Sequence, residues 1–473
     1  MLRKLTATRL GGLALFILFA LSSLDASSLL GRAKLYPTGG TMPGPVAVGD
    51  LNGDGRPDLL MVDPCAWSGY EYCTGSGVGV VLSTGKGKLK YSSMYSTGGT
   101  WATSLAVGDV NGDGRLDVVV ANFENVGVLL GNGDGTFQGA QTFGSGSNAD
   151  AIALADLNGD GKLDLILGSD ILYLGNGDGT FQPAQSYGSG GYGIAVADVN
   201  GDGKPDMIFA GDGVSVVLGN GDGTFQPVQN YPSGGYWPYS IYVADVNGDG
   251  ILDAVVANYA SDNVGVLLGN GDGTFQPVQV LDPGGFSPDA VVVADFDADG
   301  KADIAVFNQF SNAAVGVLLG NGDGTFQAPQ MFDVGGPGAG GMAIGNLTGS
   351  AMPDLVVTTC RAVRHCVKGF FSVLANTTTG YITTTALSSN LNPSKHGQTV
   401  TFTAVVSSLG PTPTGSVKFL DGTKGLGTVA LSGGVAELIK SKLAVGTHPI
   451  TAQYLGDDAN AKSTSQVLEQ VVQ

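Results

Sequence analysis

A nine-residue loop that recurs along the chain constrains the fold more than any other feature. In its third copy, residues 156–164, it reads DLNGDGKLD. Oxygen atoms of the side chains at its first, third, fifth and ninth positions can converge on one cation. The glycine at the sixth position supplies the positive φ that lets the chain wrap around that cation. Because every donor is an oxygen, the loop suits Ca²⁺ better than Zn²⁺ or a soft metal.

The loop occurs six times, with steps of 42 to 59 residues between copies. A further step of 51 residues reaches Asn346, where NLTGSAMPD keeps the frame and loses most of the ligands. We therefore predict seven repeat units and about six structural calcium sites. The seventh position would offer only its backbone carbonyl, so its side chain is expected to vary. The predicted metal residues are Asp50, Asn52, Asp54, Arg56, Asp58; Asp109, Asn111, Asp113, Arg115, Asp117; Asp156, Asn158, Asp160, Lys162, Asp164; Asp198, Asn200, Asp202, Lys204, Asp206; Asp245, Asn247, Asp249, Ile251, Asp253; and Asp295, Asp297, Asp299, Lys301, Asp303.

Each unit has the pattern of four short strands. In the second unit, β-branched runs at 104–109, 117–122 and 126–130 are separated by turn residues, and a fourth run leads into Gly144. Several runs are apolar without alternation, which indicates that both of their faces are covered. Four-stranded units stacked face to face are blades of a β-propeller, so residues 27–376 are predicted to form seven blades.

A second repeated segment, GNGDGTF, begins at Gly131, Gly175, Gly219, Gly269 and Gly320. Asn-Gly and Asp-Gly are strong hairpin signals, and we interpret the segment as a tight turn between the third and fourth strands. A second cation site is the alternative interpretation.

The two ends of the repeat array are predicted to meet. The last unit lacks a fourth strand after Leu374, whereas residues 29–40 align with the fourth strand of another unit at 180–191. The N-terminal segment should therefore complete the seventh blade and remove an open sheet edge.

The face opposite the metal loops carries aromatic residues in its connecting loops. Exposed aromatic side chains on a rigid ring are typical of a binding surface, and flat rings suit sugars. Packing between blades is the alternative role for several of them. The candidate ligand-binding residues are Trp67, Trp101, Tyr192, Tyr236, Trp237, Tyr239 and Phe286.

Residues 1–26 resemble a secretory signal peptide, with basic residues ahead of a short apolar run from Leu13 to Leu21. An uncleaved membrane anchor is the alternative. The four cysteines form two close pairs, Cys65 with Cys73 and Cys360 with Cys366, which predicts two local disulfides in an exported protein. A zinc site is the alternative, although no pair of histidines accompanies the cysteines.

The net charge of −19 opposes binding to nucleic acid or to an anionic membrane. Six calcium ions would reduce this charge to −7. Beyond a linker at 377–380, residues 381–473 lose the metal loops and gain Thr, Ser and short strand-like runs, which suit a β-sandwich.

The loops and turns of residues 29–376 resemble the FG-GAP and VCBS repeats of integrin alpha subunits and of secreted bacterial proteins. The resemblance implies a seven-bladed propeller with calcium in the loops between first and second strands. Residues 381–473 resemble a bacterial Ig-like repeat, through segments such as GQTVTFTA at 397–404. The predicted fold is therefore all-β, a seven-bladed β-propeller followed by an Ig-like β-sandwich.

Three functions are compatible with this organisation. The first is an exported monomeric binding or adhesion protein whose propeller recognises a glycan or an extracellular protein, with the Ig-like domain as spacer. The second is a polysaccharide lyase or hydrolase. Against it, the chain has three histidines, and no paired carboxylates are apparent outside the metal loops. The third is a structural component of the envelope or matrix.

Overall fold

The computed structural model describes residues 29–473 apart from 42, 65–74, 86, 145–148, 310–313, 337, 351, 361–368, 379, 382, 409 and 458. The prediction of an all-β chain is confirmed, because one 3₁₀ turn at Tyr259–Ser261 is the only helical element of these residues. The repeat region contains β1 (Lys34–Pro37), β2 (Val46–Gly49), β3 (Asp58–Asp63), β4 (Gly77–Ser83), β5 (Leu89–Ser96), β6 (Ser104–Gly108), β7 (Asp117–Ala121), β8 (Val126–Leu129), β9 (Gln141–Phe143), β10 (Ile152–Ala155), β11 (Asp164–Leu167), β12 (Ile171–Tyr173), β13 (Gly193–Ala197), β14 (Asp206–Ala210), β15 (Val214–Val217), β16 (Gln229–Tyr231), β17 (Pro238–Ala244), β18 (Asp253–Asn258), β19 (Asn263–Leu267), β20 (Gln279–Leu281), β21 (Pro288–Ala294), β22 (Asp303–Asn308), β23 (Ala314–Leu318), β24 (Gln330–Asp333), β25 (Gly338–Gly345), β26 (Asp354–Cys360) and β27 (Gly369–Leu374).

These strands form seven antiparallel sheets among the described residues. Five sheets hold four consecutive strands each: β2–β5, β6–β9, β13–β16, β17–β20 and β21–β24. The sheet β10–β12 has three, and an isolated bridge between Leu172 and Gln185 stands in the place of its fourth strand. First strands of neighbouring sheets contact one another in the order β2, β6, β10, β13, β17, β21 and β25, and β25 contacts β2. The sheets therefore close into a ring.

The seventh sheet is completed from the other end of the chain. Strand β1 pairs antiparallel with β27, from Lys34 opposite Val373 to Pro37 opposite Phe370. Leu30 is buried against the last two sheets, and the ring of Tyr36 stacks on Phe371 at 5.1 Å between centroids. This is the pairing that the alignment of residues 29–40 with 180–191 predicts.

The core of the ring lies between neighbouring sheets. On β18, Val256 packs with residues of the preceding sheet such as Ile208, whereas Val255 packs with residues of the following sheet such as Val306. Alternate side chains point to opposite faces of a strand, so a strand covered on both faces is apolar at every position. This explains the uninterrupted apolar runs.

A buried aspartate at the ninth loop position ties each sheet together. Asp164 has no exposed surface; its Oδ2 accepts the N–H of Leu157 at 2.9 Å and its Oδ1 accepts the N–H of Gly175 at 2.8 Å. The carboxylate thereby connects the loop after the first strand to the end of the third. We call it the loop latch, and it recurs at Asp58, Asp117, Asp206, Asp253, Asp303 and Asp354.

In the second to fifth sheets, the turn between the third and fourth strands also bonds to the metal loop of the sheet before it. The N–H of Gly179 in the third unit donates to the carbonyl of Val110 in the metal loop of the second unit, at 3.0 Å. Equivalent bonds join Gly135 to Leu51 and Gly273 to Val199. The metal loops and the GNGDGTF turns therefore share one face of the ring.

The C-terminal region forms a separate two-sheet sandwich. Its strands are β28 (Thr383–Ser389), β29 (Val400–Ser408), β30 (Ser416–Asp421), β31 (Lys424–Ala430), β32 (Val435–Lys440), β33 (Gly446–Tyr454), β34 (Ser463–Thr464) and β35 (Leu468–Val472). One sheet has the order β28-β29-β32, and the other has the order β31-β30-β33-β34 with β35 also on β33. Phe402, Phe419 and Tyr454 are buried between the sheets.

No helix among the described residues is long and apolar enough to cross a membrane. The predicted signal peptide, residues 1–26, lies outside the described residues.

In the seventh sheet, the hydrogen-bonding role of the loop latch can be tested separately from metal binding. Asp354 accepts backbone N–H bonds from Leu347, Thr348 and Asn376, in a loop that lacks most metal ligands. Substitution Asp354→Ala should lower the free energy of unfolding of the ring by about 3 kcal/mol or more, because it leaves buried donors unpaired. Urea denaturation in the presence of a chelator measures this. The control Asp212→Ala, at an exposed position, should be neutral; an equally small effect at Asp354 would contradict the latch.

Candidate functional site

The six complete loops hold their side-chain oxygens in a fixed arrangement. In the third loop, Oδ2 of Asp156 accepts the N–H of Gly161 at 2.8 Å, Oδ1 of Asn158 accepts the N–H of Asp160 at 2.9 Å, and Oδ1 of Asp160 accepts the N–H of Lys162 at 3.0 Å. The same three bonds recur in all six loops. The loop backbone therefore orients carboxylate and amide oxygens, the donors that a hard cation prefers.

The sixth loop brings its acids closest together. Carboxylate oxygens of Asp295, Asp297 and Asp303 all lie within 4.8 Å of one another. Burial, opposed by hydrogen bonds and reinforced by the neighbouring carboxylates, raises the pKa of Asp303 to about 7. Three acids at this separation repel one another, and a divalent cation would remove that repulsion. These residues fit Ca²⁺ by their chemistry and spacing.

The side chain at the seventh loop position has a contact that the sequence analysis does not anticipate. In five loops it is Lys or Arg and pairs with the fifth-position carboxylate, as Lys301 does with Asp299 at 2.9 Å. Its stem lies beside a glycine of the GNGDGTF turn, as Lys162 lies beside Gly177. The backbone carbonyl at this position remains the predicted ligand.

The degenerate seventh loop satisfies its polar groups internally. The hydroxyl of Thr348 donates to Oδ1 of Asp354 at 2.9 Å, and the hydroxyl of Ser350 donates to the carbonyl of Met352 at 2.9 Å. The loop keeps the latch and replaces the charged ligands with short hydrogen-bonded side chains.

The opposite face of the ring contains a cavity of about 470 Å³, which we call the central cavity. It is lined by residues at the starts of the first strands of all seven sheets. A smaller cavity of about 300 Å³ adjoins it and shares several of its residues. We call the smaller one the aromatic cavity; its lining residues are Tyr192, Trp237, Tyr239, Tyr259, Asp289 and Gln309.

The structure brings together only part of the predicted ligand set. Tyr192, Trp237 and Tyr239 line the aromatic cavity, and Trp101 lines the central cavity. Tyr236 and Phe286, which are 79% and 63% exposed, line neither of these two cavities. Trp67 lies outside the described residues.

The rings of the aromatic cavity form a connected series. Tyr192 stacks on Tyr239 at 5.7 Å between centroids, Tyr239 is tilted against Tyr259 at 5.8 Å, and Trp237 lies 6.4 Å from Tyr259. The Tyr259 hydroxyl donates to Oε1 of Gln309 at 2.9 Å. Trp237 remains 63% exposed, so its ring is available to a ligand.

β-bulges in the strands β17 and β21 orient two of the side chains that line these cavities. The pairing of β17 with β18 slips between Pro238 and Ser240, and the pairing of β21 with β22 slips between Pro288 and Ala290. The residues left unpaired at these bulges are Tyr239 and Asp289. A β-bulge redirects a side chain and is common beside binding sites.

Two tryptophans also adopt a rare backbone conformation. Trp237 has φ of 53° and Trp101 has φ of 51°, in the left-handed region that bulky residues seldom enter. The carbonyl of Trp237 accepts the N–H of Tyr259 at 2.9 Å, which joins the two loops of one sheet at the cavity. Strained residues of this kind cluster at functional sites.

Asp289 and Asp150 are two acids outside the metal loops that both line the central cavity. They belong to different sheets and are far apart in the chain, so only the closed ring brings them to one opening. Asp289 is 8% exposed, and burial raises its pKa to about 6. The pKa of Tyr239 is raised to about 12, by burial first and then by Asp289 and Asp150.

Cys360 is disulfide-bonded. Cys65, Cys73 and Cys366 lie outside the described residues, so the predicted pairing stays a prediction.

The sequence matches two family models. The model of the FG-GAP-like repeat matches residues 66–120, 109–167, 168–209, 198–256 and 245–306. The model of the bacterial Ig-like domain (group 3) matches residues 387–473. Both matches confirm the resemblances stated for the sequence. No curated protein sequence gives a significant match.

Several solved structures are similar to this chain at low sequence identity. An Agrocybe aegerita lectin that recognises non-reducing terminal N-acetylglucosamine is 24% identical, with 65% of this chain and 92% of that chain covered and a TM-score of 0.47. BBS1N in complex with ARL6DN is 14% identical, with 74% and 98% covered and a TM-score of 0.50. The NanB sialidase of Streptococcus pneumoniae is 10% identical, with 75% and 72% covered and a TM-score of 0.43.

The buried carboxyl of Asp289 makes stability depend on pH. Its pKa rises from 3.8 to about 6 on folding, so the folded chain holds this proton more tightly. The contribution of Asp289 to stability is therefore greatest below a pH of about 4, and it falls as the pH rises to about 6. Asp289→Asn should stabilise the ring by up to about 3 kcal/mol at a pH of about 8, and the gain should vanish towards a pH of about 4.

Urea denaturation across this pH range, with calcium present throughout, measures the difference between the two chains. Asp212→Asn, at an exposed carboxyl, is the control and should change stability at no pH. A gain for Asp289→Asn that is the same at every pH would show that the carboxyl is not strained by burial.

Proposed function

The chain belongs to the family of FG-GAP-like repeat proteins, and on that premise we propose that it is an exported, calcium-stabilised glycan-binding protein. The aromatic cavity is the observation that carries this proposal. In this proposal the Ig-like domain acts as a spacer.

The metal loops support the calcium part of the proposal. Each complete loop orients its oxygen donors by backbone hydrogen bonds, and the first four loops also accept a backbone bond from the turn of the following sheet. A cation held there would fasten two neighbouring sheets. At millimolar calcium, six extracellular-type sites would together stabilise the ring by roughly 2–8 kcal/mol. Near-identical loops repeated around a ring suit a structural role better than a catalytic one.

Removal of calcium should therefore destabilise the ring and leave the sandwich unchanged. For residues 27–473, we expect two thermal transitions, of which only that of the ring shifts to lower temperature with excess chelator. Differential scanning calorimetry with millimolar calcium and with chelator measures both transitions.

Matched substitutions test the assignment of the loops. Asp156→Ala removes a first-position ligand and should lower the number of calcium ions bound per chain by about one. Asn346→Ala changes the same position of the degenerate loop and should change neither the calcium content nor the transition in calcium. Equal effects of the two substitutions, or no effect of chelator on the wild-type chain, would contradict the structural role of calcium.

The aromatic cavity supports the glycan part of the proposal. It is concave, its volume of about 300 Å³ suits a small ligand, and its rings are held by bulges and by bonds between neighbouring loops. Aromatic rings supply flat apolar contact area, while Asp289 and Gln309 supply polar atoms that can orient a hydroxylated ligand.

A glycan array with the wild-type chain and two variants tests this proposal. Trp237→Ala should reduce binding at least about tenfold, because it removes the most exposed ring of the cavity. Phe286→Ala is a matched control: both side chains are 63% exposed in the same kind of loop, and Phe286 does not line the cavity. Binding that Trp237→Ala leaves intact would place the ligand elsewhere, and an array without any bound glycan would overturn the proposal.

A hydrolase acting on polysaccharides is the second candidate. The observation in its favour is the presence of Asp150 and Asp289 along one cavity, with the pKa of both raised by burial. A protonated carboxyl beside an ionised one is a common arrangement for cleaving glycosidic bonds. Release of reducing ends from bound polysaccharides, lost in Asp289→Asn and in Asp150→Asn, would favour this candidate.

A further inference from the structure

Asp289 is a buried acid without a partner. It is 8% exposed, it makes no side-chain hydrogen bond or ion pair with the described residues, and burial alone raises its pKa. Buried carboxylates in proteins are ordinarily paired or hydrogen-bonded, because the charge is otherwise costly. The loop latches show the ordinary case, since each of them accepts backbone N–H bonds.

The carboxyl faces a cavity rather than the packed interior. Asp289 lines both the central cavity and the aromatic cavity, and the β-bulge at this residue directs its side chain there. Tyr239 and Tyr259 line the same cavity as Asp289, and their pKa is raised by burial first and then by the charge of Asp289. No Lys, Arg or His among the described residues lines either cavity. Within the part of the chain that the structure describes, Asp289 therefore lacks a counter-charge, and a cationic ligand in the cavity would supply it.

The surroundings of Asp289 determine which counter-charge fits. A hard metal ion would need several oxygen donors, whereas the neighbours of Asp289 in the aromatic cavity are four aromatic side chains and one amide. Aromatic faces attract organic cations, and the attraction grows when water is excluded. An anionic sugar would be repelled by Asp289 and by Asp150, which lines the adjoining cavity.

We propose that the aromatic cavity binds a sugar that carries a free, protonated amino group, with the ammonium against Asp289 and the sugar ring against Trp237 and Tyr259. This inference rests on the proposed glycan-binding function and specifies its ligand class. The ammonium group supplies the counter-charge that Asp289 lacks, and the tyrosine rings beside it add cation–π attraction. An acetylated amino group carries no charge and satisfies neither requirement.

Three sets of oligosaccharides of the same linkage and length test this inference: oligomers of glucosamine, of N-acetylglucosamine and of glucose. Isothermal titration calorimetry at neutral pH should give at least about tenfold tighter binding of the glucosamine oligomer to the wild-type chain. Asp289→Asn, which is isosteric and should fold at least as stably, should abolish that preference. Trp237→Ala should weaken binding of every oligomer that binds, and Phe286→Ala should change nothing.

The outcomes separate this inference from the proposed function. Equal or tighter binding of the acetylated or glucose oligomer, or a preference that persists in Asp289→Asn, would overturn the amino-sugar assignment and leave glycan binding intact. A lysine-rich peptide bound as tightly as the glucosamine oligomer would also overturn it, because the sugar ring would then be irrelevant. If none of the three oligomers binds, the assignment fails, and the glycan array decides the proposed function independently.

Discussion

The structure of the ring depends on a buried carboxylate that accepts two backbone N–H bonds. In each sheet this aspartate ends the loop between the first and second strands and also holds the end of the third strand. It thereby connects the first three strands of the sheet through one carboxylate that has no exposed surface. The seventh sheet keeps this aspartate although its loop has lost most of the metal ligands, which shows that the hydrogen-bonding role is independent of the metal. The hydrogen bonds of this aspartate therefore connect the strands whether or not the loop carries the other metal ligands.

The two faces of the ring are under different physical constraints. One face is regular, because the first four metal loops accept the same backbone bond from the turn of the next sheet. The other face has no such requirement, and there the loops differ in length, in aromatic content and in the presence of bulges. Rigid support on one side is what allows strained tryptophans and an unpaired buried acid on the other. The cost in stability at Asp289 is the strongest physical indication that this face is shaped for a ligand.

The period of the loops was sufficient to predict most of the fold. The Asp positions mark the hairpins, the apolar runs mark strands covered on both faces, and the alignment of residues 29–40 with a fourth strand predicts the pairing of β1 with β27. The aromatic loops were likewise predicted from the same frame. The sequence does not show which of these aromatic side chains contact one another in the folded chain. Tyr192 precedes the sheet β13–β16, whereas Tyr239 and Tyr259 belong to the sheet β17–β20, so the contact between Tyr192 and Tyr239 depends on how neighbouring sheets pack.

Asp289 could not be identified from the sequence as a candidate site residue for a related reason. In sequence it is one acid among many, and its isolation from any partner exists only after folding. A comparison between repeats holds a partial signal, because Pro288-Asp289-Ala290 aligns with Pro238-Tyr239-Ser240, and the same bulge follows both prolines. The dual role of the ninth loop position was also hidden, since a ligand and a hydrogen-bond acceptor are the same residue type.

The central claim is that the mouth of the ring is the ligand-binding site, and a crystal structure of the chain in complex with a bound glycan tests it most directly. The account predicts a sugar ring in contact with Trp237 and Tyr259, and a polar atom of that sugar within hydrogen-bonding distance of Asp289. A sugar bound on the face of the metal loops, or on the C-terminal sandwich, with the aromatic cavity empty, would contradict it.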